Sequence, residues 1–431
     1  MQEIIQSFFK ERSLVNHQLA SYNDCIPAGD STISRMEKII RNIRVGTDEE
    51  INDDEGGYIK LDVVDQEIVI RLKDIKLGKP TIREANGANM ESTPMECRLR
   101  KLTYMSPVSI DFQIYRSGIP SPLEESVQVG SMPIMIRSRR CNLHPEHIIS
   151  DRVLDPVTSG EDADLWKDLL RKKGEDPLDP GGYFIINGTE RVLISMEDLA
   201  PNRVTVEINK RSVKKTEVAK IFSQKDGMRK PLTVEKRRDG MLMVKISTVG
   251  TTPIPVVMLM RALGIENDQE VFQAIAGPTE TFKYIVANIN EVNDNEEYAV
   301  NNTLESHEWL QKKFAAGQQR EYREARVNQL LDRELLPHLG DQTEDRKKKA
   351  IFLGRIVRQV LEMAMTDREP NDKDHYANKR VRLAGDLIED LFRVSSGQLA
   401  RDLKYQLERH HNRKRELKIT SCLRPDVLTS K

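Results

Sequence analysis

The sequence predicts an α+β protein of more than one domain, and three observations carry that prediction. Between Pro107 and Ile114, the residues Val108, Ile110, Phe112 and Ile114 alternate with polar neighbours, the period-two pattern of a half-buried strand. Between Lys348 and Met365, Ile351, Phe352, Ile356, Val357, Val360, Leu361 and Met365 draw one apolar stripe, the mark of a helix with one face in a core. At Pro201 the character of the chain changes: helical and strand patterns are interleaved before it, whereas after it several strands come first and helices follow.

The elements follow in order. Ile4, Ile5, Phe8, Phe9, Leu14, Val15 and Leu19 recur at helical spacing, so the chain opens with one or two amphipathic helices, and a further helix spans about Ser34 to Arg44. Thr47 to Gly57 holds six acids and no base, a solvated loop. Tyr58 to Leu72 reads as strands, with Ile68, Ile70 and Leu72 set against Glu67 and Arg71, and Asn86-Gly87 marks a hairpin turn. Pro133 to Ile136 is a short strand. Pro145 to Lys173 is polar and mostly helical or irregular, with Trp166, Leu169 and Leu170 facing inward. After the punctuation of Gly174 to Gly182, Phe184-Ile-Ile186 and Val192-Leu-Ile194 read as the two strands of a hairpin turning at Asn187-Gly188, the strongest two-residue signal for such a turn.

Beyond Pro201, Arg203 to Glu207, Val218 to Phe222 and Met241 to Ile246 are strands, joined by turns at Asp226-Gly227 and Asp239-Gly240. Val256 to Leu263 is an apolar helix that Gly264 ends from the position after the cap. Several helices fill Phe272 to Leu339. Thr366 to Asp372 breaks the striped helix, and a long helical pattern runs from Leu387 to Leu417 with an interruption near Ser395-Ser-Gly397.

Bulk properties exclude whole classes of function. With 431 residues, 38% hydrophobic and 31% charged, the chain describes a globular protein with a large solvated surface. A formal net charge of −1 argues against an autonomous nucleic-acid binder, so any such contact falls to local patches. One patch lies between Glu207 and Gly240, where eleven Lys and Arg face five acids; the plain alternative there is a solvated sheet face, since edge lysines discourage strand pairing. Cys25, Cys97, Cys141 and Cys422 are far apart, with no Cys-x-x-Cys pair, and read as reduced thiols rather than a zinc site or a disulfide framework. The first residues form neither signal peptide nor anchor, which makes the expected compartment the cytoplasm, with no membrane partner. No phosphate loop, zinc-protease or nucleophile-elbow motif occurs. Asp372 and Asp374 have the spacing of some magnesium sites, but the His and basic cluster after them would compete as ion partners, so no metal site is assigned.

Two stretches are sharper than the rest. The first is Gly181-Gly-Tyr-Phe-Ile-Ile-Asn-Gly-Thr-Glu-Arg-Val-Leu-Ile-Ser195; the second is Asp372-Lys-Asp-His-Tyr-Ala-Asn-Lys-Arg-Val-Arg-Leu-Ala-Gly385. Together with Pro94 to Tyr104, Met132 to Ser138 and Cys141-Asn-Leu143, they resemble, in the same order, the second-largest (B or beta-type) subunit of multisubunit DNA-directed RNA polymerases, in its archaeal form. The resemblance runs over nearly the whole chain. Because that subunit continues for several hundred residues past the position of Lys431, it implies the N-terminal part only, either the B″ product of a split gene or a truncation.

The resemblance implies a multidomain architecture: residues 1–199 as the first part of a protrusion-like mixed α/β domain, 200–373 as an inserted lobe-like α+β domain, and 374–431 as the second part of the protrusion, heading toward the fork. It implies partners as well: the remaining half of the second-largest subunit, the largest subunit and the other polymerase subunits, and DNA, with the RNA–DNA hybrid as a further candidate. The catalytic Mg2+ would be held by the largest subunit, so this chain has no catalytic residue, no cofactor and no activity alone. Arg191, Asp374, His375, Asn378, Lys379, Arg380 and Arg382 are the candidates for proximity to nucleic acid. Lys379, Arg380 and Arg382 offer phosphate contacts that are blind to sequence, while Asp374, His375 and Asn378 offer short donors and acceptors to meet a base edge or to lock the loop. The plain alternative is that Asp374 and Arg380 pair with each other and fix a junction. The rival reading of function is a stand-alone nucleic-acid or protein scaffold derived from that subunit.

Overall fold

The structure is a computed structural model that describes residues 4–5, 7–8, 14–27, 32–46, 56–61, 63, 67–85, 87–121, 125–148, 160–209, 216–225, 227–247, 252–277, 279–295, 298, 300–315, 317, 319–366, 368–413, 418–423 and 428–429. The acidic stretch after Thr47 falls almost wholly outside them, as do Lys210 to Lys215. The chain forms an α+β protein of two compact units, Met1–Met196 with Val381–Lys431, and Glu197–Arg380. The break in the sequence at Pro201 lies just inside the second. Residues 374–380 group with this central unit because the Ala200 N–H donates to the Asn378 carbonyl (2.8 Å) and Arg203 to the Ala377 carbonyl (2.8 Å).

The first unit is built on a sheet in which Arg44–Val45, Gly57–Lys60, Ile68–Leu77, Met105–Arg116 and Ile119–Pro120 follow one another, with Glu125–Pro133 also paired to Met105–Arg116. Val108, Ile110, Phe112 and Ile114 all point into the core, as their alternation requires. Sequence reading placed the strand after them at Pro133 to Ile136. The strand is Glu125–Pro133 instead, and Ile134 and Ile136 run on as irregular but buried chain, their N–H groups donating to the Tyr104 and Tyr183 carbonyls. Ser34 caps the helix Arg35–Arg41 in a reciprocal capping box with Glu37.

The hairpin forms where predicted, but its second strand starts earlier. Asn187 and Gly188 both have positive φ, 51° and 75°, as a two-residue turn matched to strand twist demands. That turn forces Ile186 opposite Thr189, Ile185 opposite Glu190 and Phe184 opposite Arg191. Before Phe184 the backbone is engaged with Ile136, so the returning strand ends at Arg191, and Val192 to Ile194 continue with no strand partner.

The helix Ala384–Asn412 runs without interruption through Ser395, Ser396 and Gly397. The small residues there serve packing: Ser395 and Ser396 are buried, and the Ser396 hydroxyl is satisfied by the Phe392 carbonyl in the preceding turn (2.5 Å). The start of this helix lies against helix Asn16–Cys25, where Ala384 N–H donates to Gln18 Oε1 (2.9 Å) and Gly385 N–H to Ser21 Oγ (3.2 Å). A Cβ on Gly385 would stand 2.0 Å from the Ser21 carbonyl oxygen. Gly385→Ala is therefore expected to lose about 1–3 kcal/mol of stability through overpacking, outweighing the helix propensity alanine adds, about 1 kcal/mol; denaturant unfolding of the full chain measures the difference, and an unchanged midpoint refutes the close-packing argument.

The central unit holds a five-stranded antiparallel sheet in the order Val204–Asn209, Thr216–Lys225, Met228–Lys236, Leu242–Ile246, Ile254–Pro255. Met228–Lys236 is a strand the sequence hid. Helix Arg346–Met365 packs against three of these strands through Leu353, Ile356, Val357, Val360 and Leu361, with Met363 buried in place of Met365, and Ile351 facing solvent. Helix Val256–Ala262 is buried at every residue and stops, as predicted, at a positive-φ Gly264. No helix among the described residues is long and apolar enough to cross a membrane.

Candidate nucleic-acid interface

After helix Arg346–Met365 the chain runs to a single 3-10 turn at Tyr376–Asn378 that local hydrogen bonds hold in place. Asn371 exchanges two bonds with Val206, its N–H donating to the Val206 carbonyl and its Oδ1 accepting the Val206 N–H, each 2.9 Å. Asp372 Oδ1 accepts the Asp374 N–H at 2.8 Å, and the Asn378 side chain reaches back to the Asp372 carbonyl. His375 Nδ1 accepts the Ala377 N–H at 3.1 Å, which puts the proton of a neutral imidazole on Nε2. Lys373 forms an ion pair with Glu207. The backbone of the turn is thus committed within its own unit, and its side chains are left for the surface.

Those side chains divide into engaged and free. The Asp374 carboxylate is 96% exposed. Its nearest cation is Lys379, at 3.9 Å, which also lies 3.4 Å from Glu197. Arg380 does not pair with Asp374: it is exposed and, among the described residues, donates to the neighbouring Lys379 carbonyl alone (2.7 Å). Asn378 is spent on holding the turn. Arg382 belongs to the other unit, where it pairs with Asp390 of the long helix. Arg191 is in that unit too, exposed at the end of its strand, with no side-chain partner among the described residues. The turn therefore gathers Asp374, His375, Lys379 and Arg380 on one short surface segment.

Sequence reasoning missed three residues. Tyr376, 82% exposed at the head of the turn, was legible as an aromatic beside a basic run. Arg203 and Glu197, which hold the Ala377 carbonyl and Lys379, carry no signal in a linear reading because they lie far upstream.

In the basic stretch between Glu207 and Gly240, four of the seven cations among the described residues are paired with acids. Lys220 pairs with Glu207, Lys225 with Asp341, Arg229 with Asp198 and Lys236 with Glu217. Arg229 also lies over the Phe222 ring, 4.0 Å from its centroid. Among the described residues no cluster of His, Cys, Asp or Glu is arranged to hold a metal ion. Burial pushes the Cys25 thiol up to about 12 and the Cys97 thiol up to about 11, away from the thiolate form that nucleophilic chemistry needs.

Comparison with known proteins bears on the whole chain. Residues 200–382 match the family described as RNA polymerase Rpb2, domain 2, and residues 13–150 match the RNA polymerase beta subunit family. The chain is 41% identical over 436 residues to DNA-directed RNA polymerase subunit Rpo2N of Methanocaldococcus jannaschii, covering all of this chain and 78% of that protein. It is 38% identical over 440 residues to subunit Rpo2N of Halobacterium salinarum, of which 76% is covered. With subunit Rpo2 of Saccharolobus solfataricus it shares 37% identity over 428 residues, 99% of this chain but 34% of that longer protein.

Proposed function

The chain belongs to the family of second-largest subunits of DNA-directed RNA polymerase, and from that premise we propose that it forms one wall of the DNA cleft and helps to position DNA during transcription. The enzyme it serves is a nucleotidyltransferase, and its protein partners are other polymerase subunits. In this reading the unit of Met1–Met196 with Val381–Lys431 is the protrusion, and Glu197–Arg380 is the lobe. The Mg2+ of catalysis belongs to the largest subunit, DNA and the RNA–DNA hybrid are the nucleic acids in reach, and the complex works in the cytoplasm.

The observation that carries the DNA-positioning role is the turn at Tyr376–Asn378, whose backbone is fixed and whose charged side chains are presented outward. Among the described residues Arg380 has no acid partner, so it can neutralise a phosphate at little cost. Lys379 is shared with Glu197 and Asp374 and is a weaker phosphate ligand. The remaining candidates, Arg191, His375, Asn378 and Arg382, play supporting parts in this reading.

In assembled polymerase, Arg380→Ala is expected to reduce the magnitude of the slope of log K against log salt by about 1, equally for different templates, and Lys379→Ala by less. Asp374→Ala is expected to leave the slope undiminished, because a carboxylate repels phosphate, and instead to change the preference between two template sequences. Binding titrations across salt with both templates make the test. Unchanged slopes in both cation variants, together with a lowered melting temperature, would make this turn a structural junction and end the reading.

A further inference from the structure

We propose that Arg98 is a positioning residue for the DNA contact: it grips the outer strand of the hairpin so that Arg191 is held toward the template. The proposal rests on the reading of Arg191 given above, as a residue close to nucleic acid. The turn end of the hairpin needs no such grip, because Gly188 N–H donates to the Leu102 carbonyl (2.9 Å) and Asn187 N–H to Thr103 Oγ1 (3.1 Å). The other end is different. Thr189, Glu190 and Arg191 are all exposed, and among the described residues their strand pairs with Phe184–Ile186 alone. A lone two-stranded hairpin is marginal in water, so side chains must fix the end from which Arg191 projects.

Arg98, on the short helix Pro94–Leu99, does this with three donors. Its Nε donates to Glu190 Oε1 (2.8 Å), Nη1 to Glu175 Oε2 (3.0 Å) and Nη2 to the Tyr183 hydroxyl (2.6 Å). Glu190 lies on the outer strand and Tyr183 just precedes the inner one, so a single guanidinium ties both legs of the hairpin. Glu175, almost wholly buried, sets the place of Arg98 in turn; its other oxygen accepts the Met95 N–H (2.6 Å) in the first turn of the same helix. The Tyr183 hydroxyl donates onward to Asp179 Oδ2 (2.5 Å).

Two consequences follow for Arg191. The planar fork of Arg98 is already ordered by Glu175 and Tyr183, so little side-chain freedom is left to lose when Glu190 joins, and that loss is what cancels most exposed ion pairs. Successive strand residues point to opposite faces, so drawing Glu190 to Arg98 turns Arg191 to the other face of the strand. The same contact engages the carboxylate next to Arg191 and reduces the repulsion a bare acid there would exert on a phosphate.

The sign of one substitution tests the proposal. Glu190→Ala removes a negative charge beside a cation assigned to DNA, which by charge alone would tighten binding; loss of the grip on the strand has the reverse effect. In assembled polymerase, Glu190→Ala is expected to weaken template binding by about threefold to fivefold, the scale of one partly exposed ion pair. It is expected to add nothing once Arg191 is alanine, as for two residues acting through one contact. Because this variant keeps the Arg98–Glu175 pair, its melting temperature is expected to stay unchanged. Arg98→Met unpairs Glu175 and lowers stability, but its effect on binding is expected to vanish in the same way on the Arg191→Ala background. Unchanged or tighter binding in Glu190→Ala, or effects of Glu190→Ala and Arg191→Ala that simply add, would overturn the proposal. If Arg191→Ala alone left binding unchanged, Arg191 would lie away from DNA and the reading beneath the proposal would fail, an outcome distinct from these.

Discussion

Arg261→Leu is expected to destabilise the central unit by about 2–4 kcal/mol, through acceptors left without a donor and the space that leucine does not fill. Arg261 is 1% exposed on a helix whose every residue is buried. Its guanidinium joins three elements: Nη1 donates to Asn293 Oδ1 (2.7 Å) and to the Val300 carbonyl, and Nη2 to Asp268 at the start of the next helix (2.5 Å). Leucine would leave the Val300 carbonyl and the Asn293 amide without a donor, and desolvated acceptors cost about 1–3 kcal/mol each. It would also leave a space the leucine does not fill. Arg261→Lys keeps the charge but lacks the planar fork that serves all three partners, so it should lose less than leucine and more than nothing. Denaturant unfolding of the full chain, followed by a probe in Glu197–Arg380, gives the ordering; equal stability of the three proteins would show that the network contributes only packing.

Lys349→Met is expected to become more damaging as pH rises, by up to about 3 kcal/mol between pH 8 and 10.5. The π-helical turn Leu330–Glu334 leaves main-chain carbonyls without helical partners. Lys349, wholly buried on helix Arg346–Met365, fills the gap by donating from Nζ to the Leu331 and Asp332 carbonyls. Burial pulls its ammonium from the usual 10.5 down to about 8, with Asp332 acting in the opposite direction. Between those values the folded protein holds a neutral amine while the unfolded chain is still protonated. The unfolded state then binds more protons, so stability rises with pH through this window. The fall from 10.5 to about 8 corresponds to about 3 kcal/mol. Methionine removes both carbonyl partners at every pH, but below pH 8 it also relieves the cost of burying a charge, so its net penalty there is smaller. The measurement is the difference in unfolding free energy between the two proteins at pH 7 and pH 10; a difference that does not change with pH would mean Lys349 is not held at a lowered value.

How far the sequence could be read depended on whether the relevant physics is local. The alternation of Val108 to Ile114 and the Asn187-Gly188 turn are set by backbone geometry, and both appear in the structure. The strand Met228–Lys236 was hidden by Arg229, Lys230 and Pro231 at its start; it becomes a sheet member because its charged residues meet acids on neighbouring elements, Arg229 with Asp198 and Lys236 with Glu217. Those partners are 31 and 19 residues away, beyond any local spacing rule. Ser395-Ser-Gly397 reads as a break only if its surroundings are ignored. At the candidate interface, Lys379 and Arg380 were legible as cations, but which of them meets an acid among the described residues was not, since Glu197 lies 182 residues from Lys379.

The insertion of Glu197–Arg380 into the other unit fixes an order of events during synthesis. The central unit is one continuous length of chain and can complete its sheet and helices as soon as Arg380 leaves the ribosome. The outer unit cannot finish then. Its helix Asn16–Cys25 must wait for Ala384 and Gly385, contacts that span 366 and 364 residues, among the most expensive loops for a chain to close unaided. A central unit already folded replaces that floppy loop with a compact body, and so lowers the entropic cost of bringing the two ends together. Until then the early half of the outer unit is an unfinished core, which makes this the interval in which chaperone protection of the nascent chain matters most.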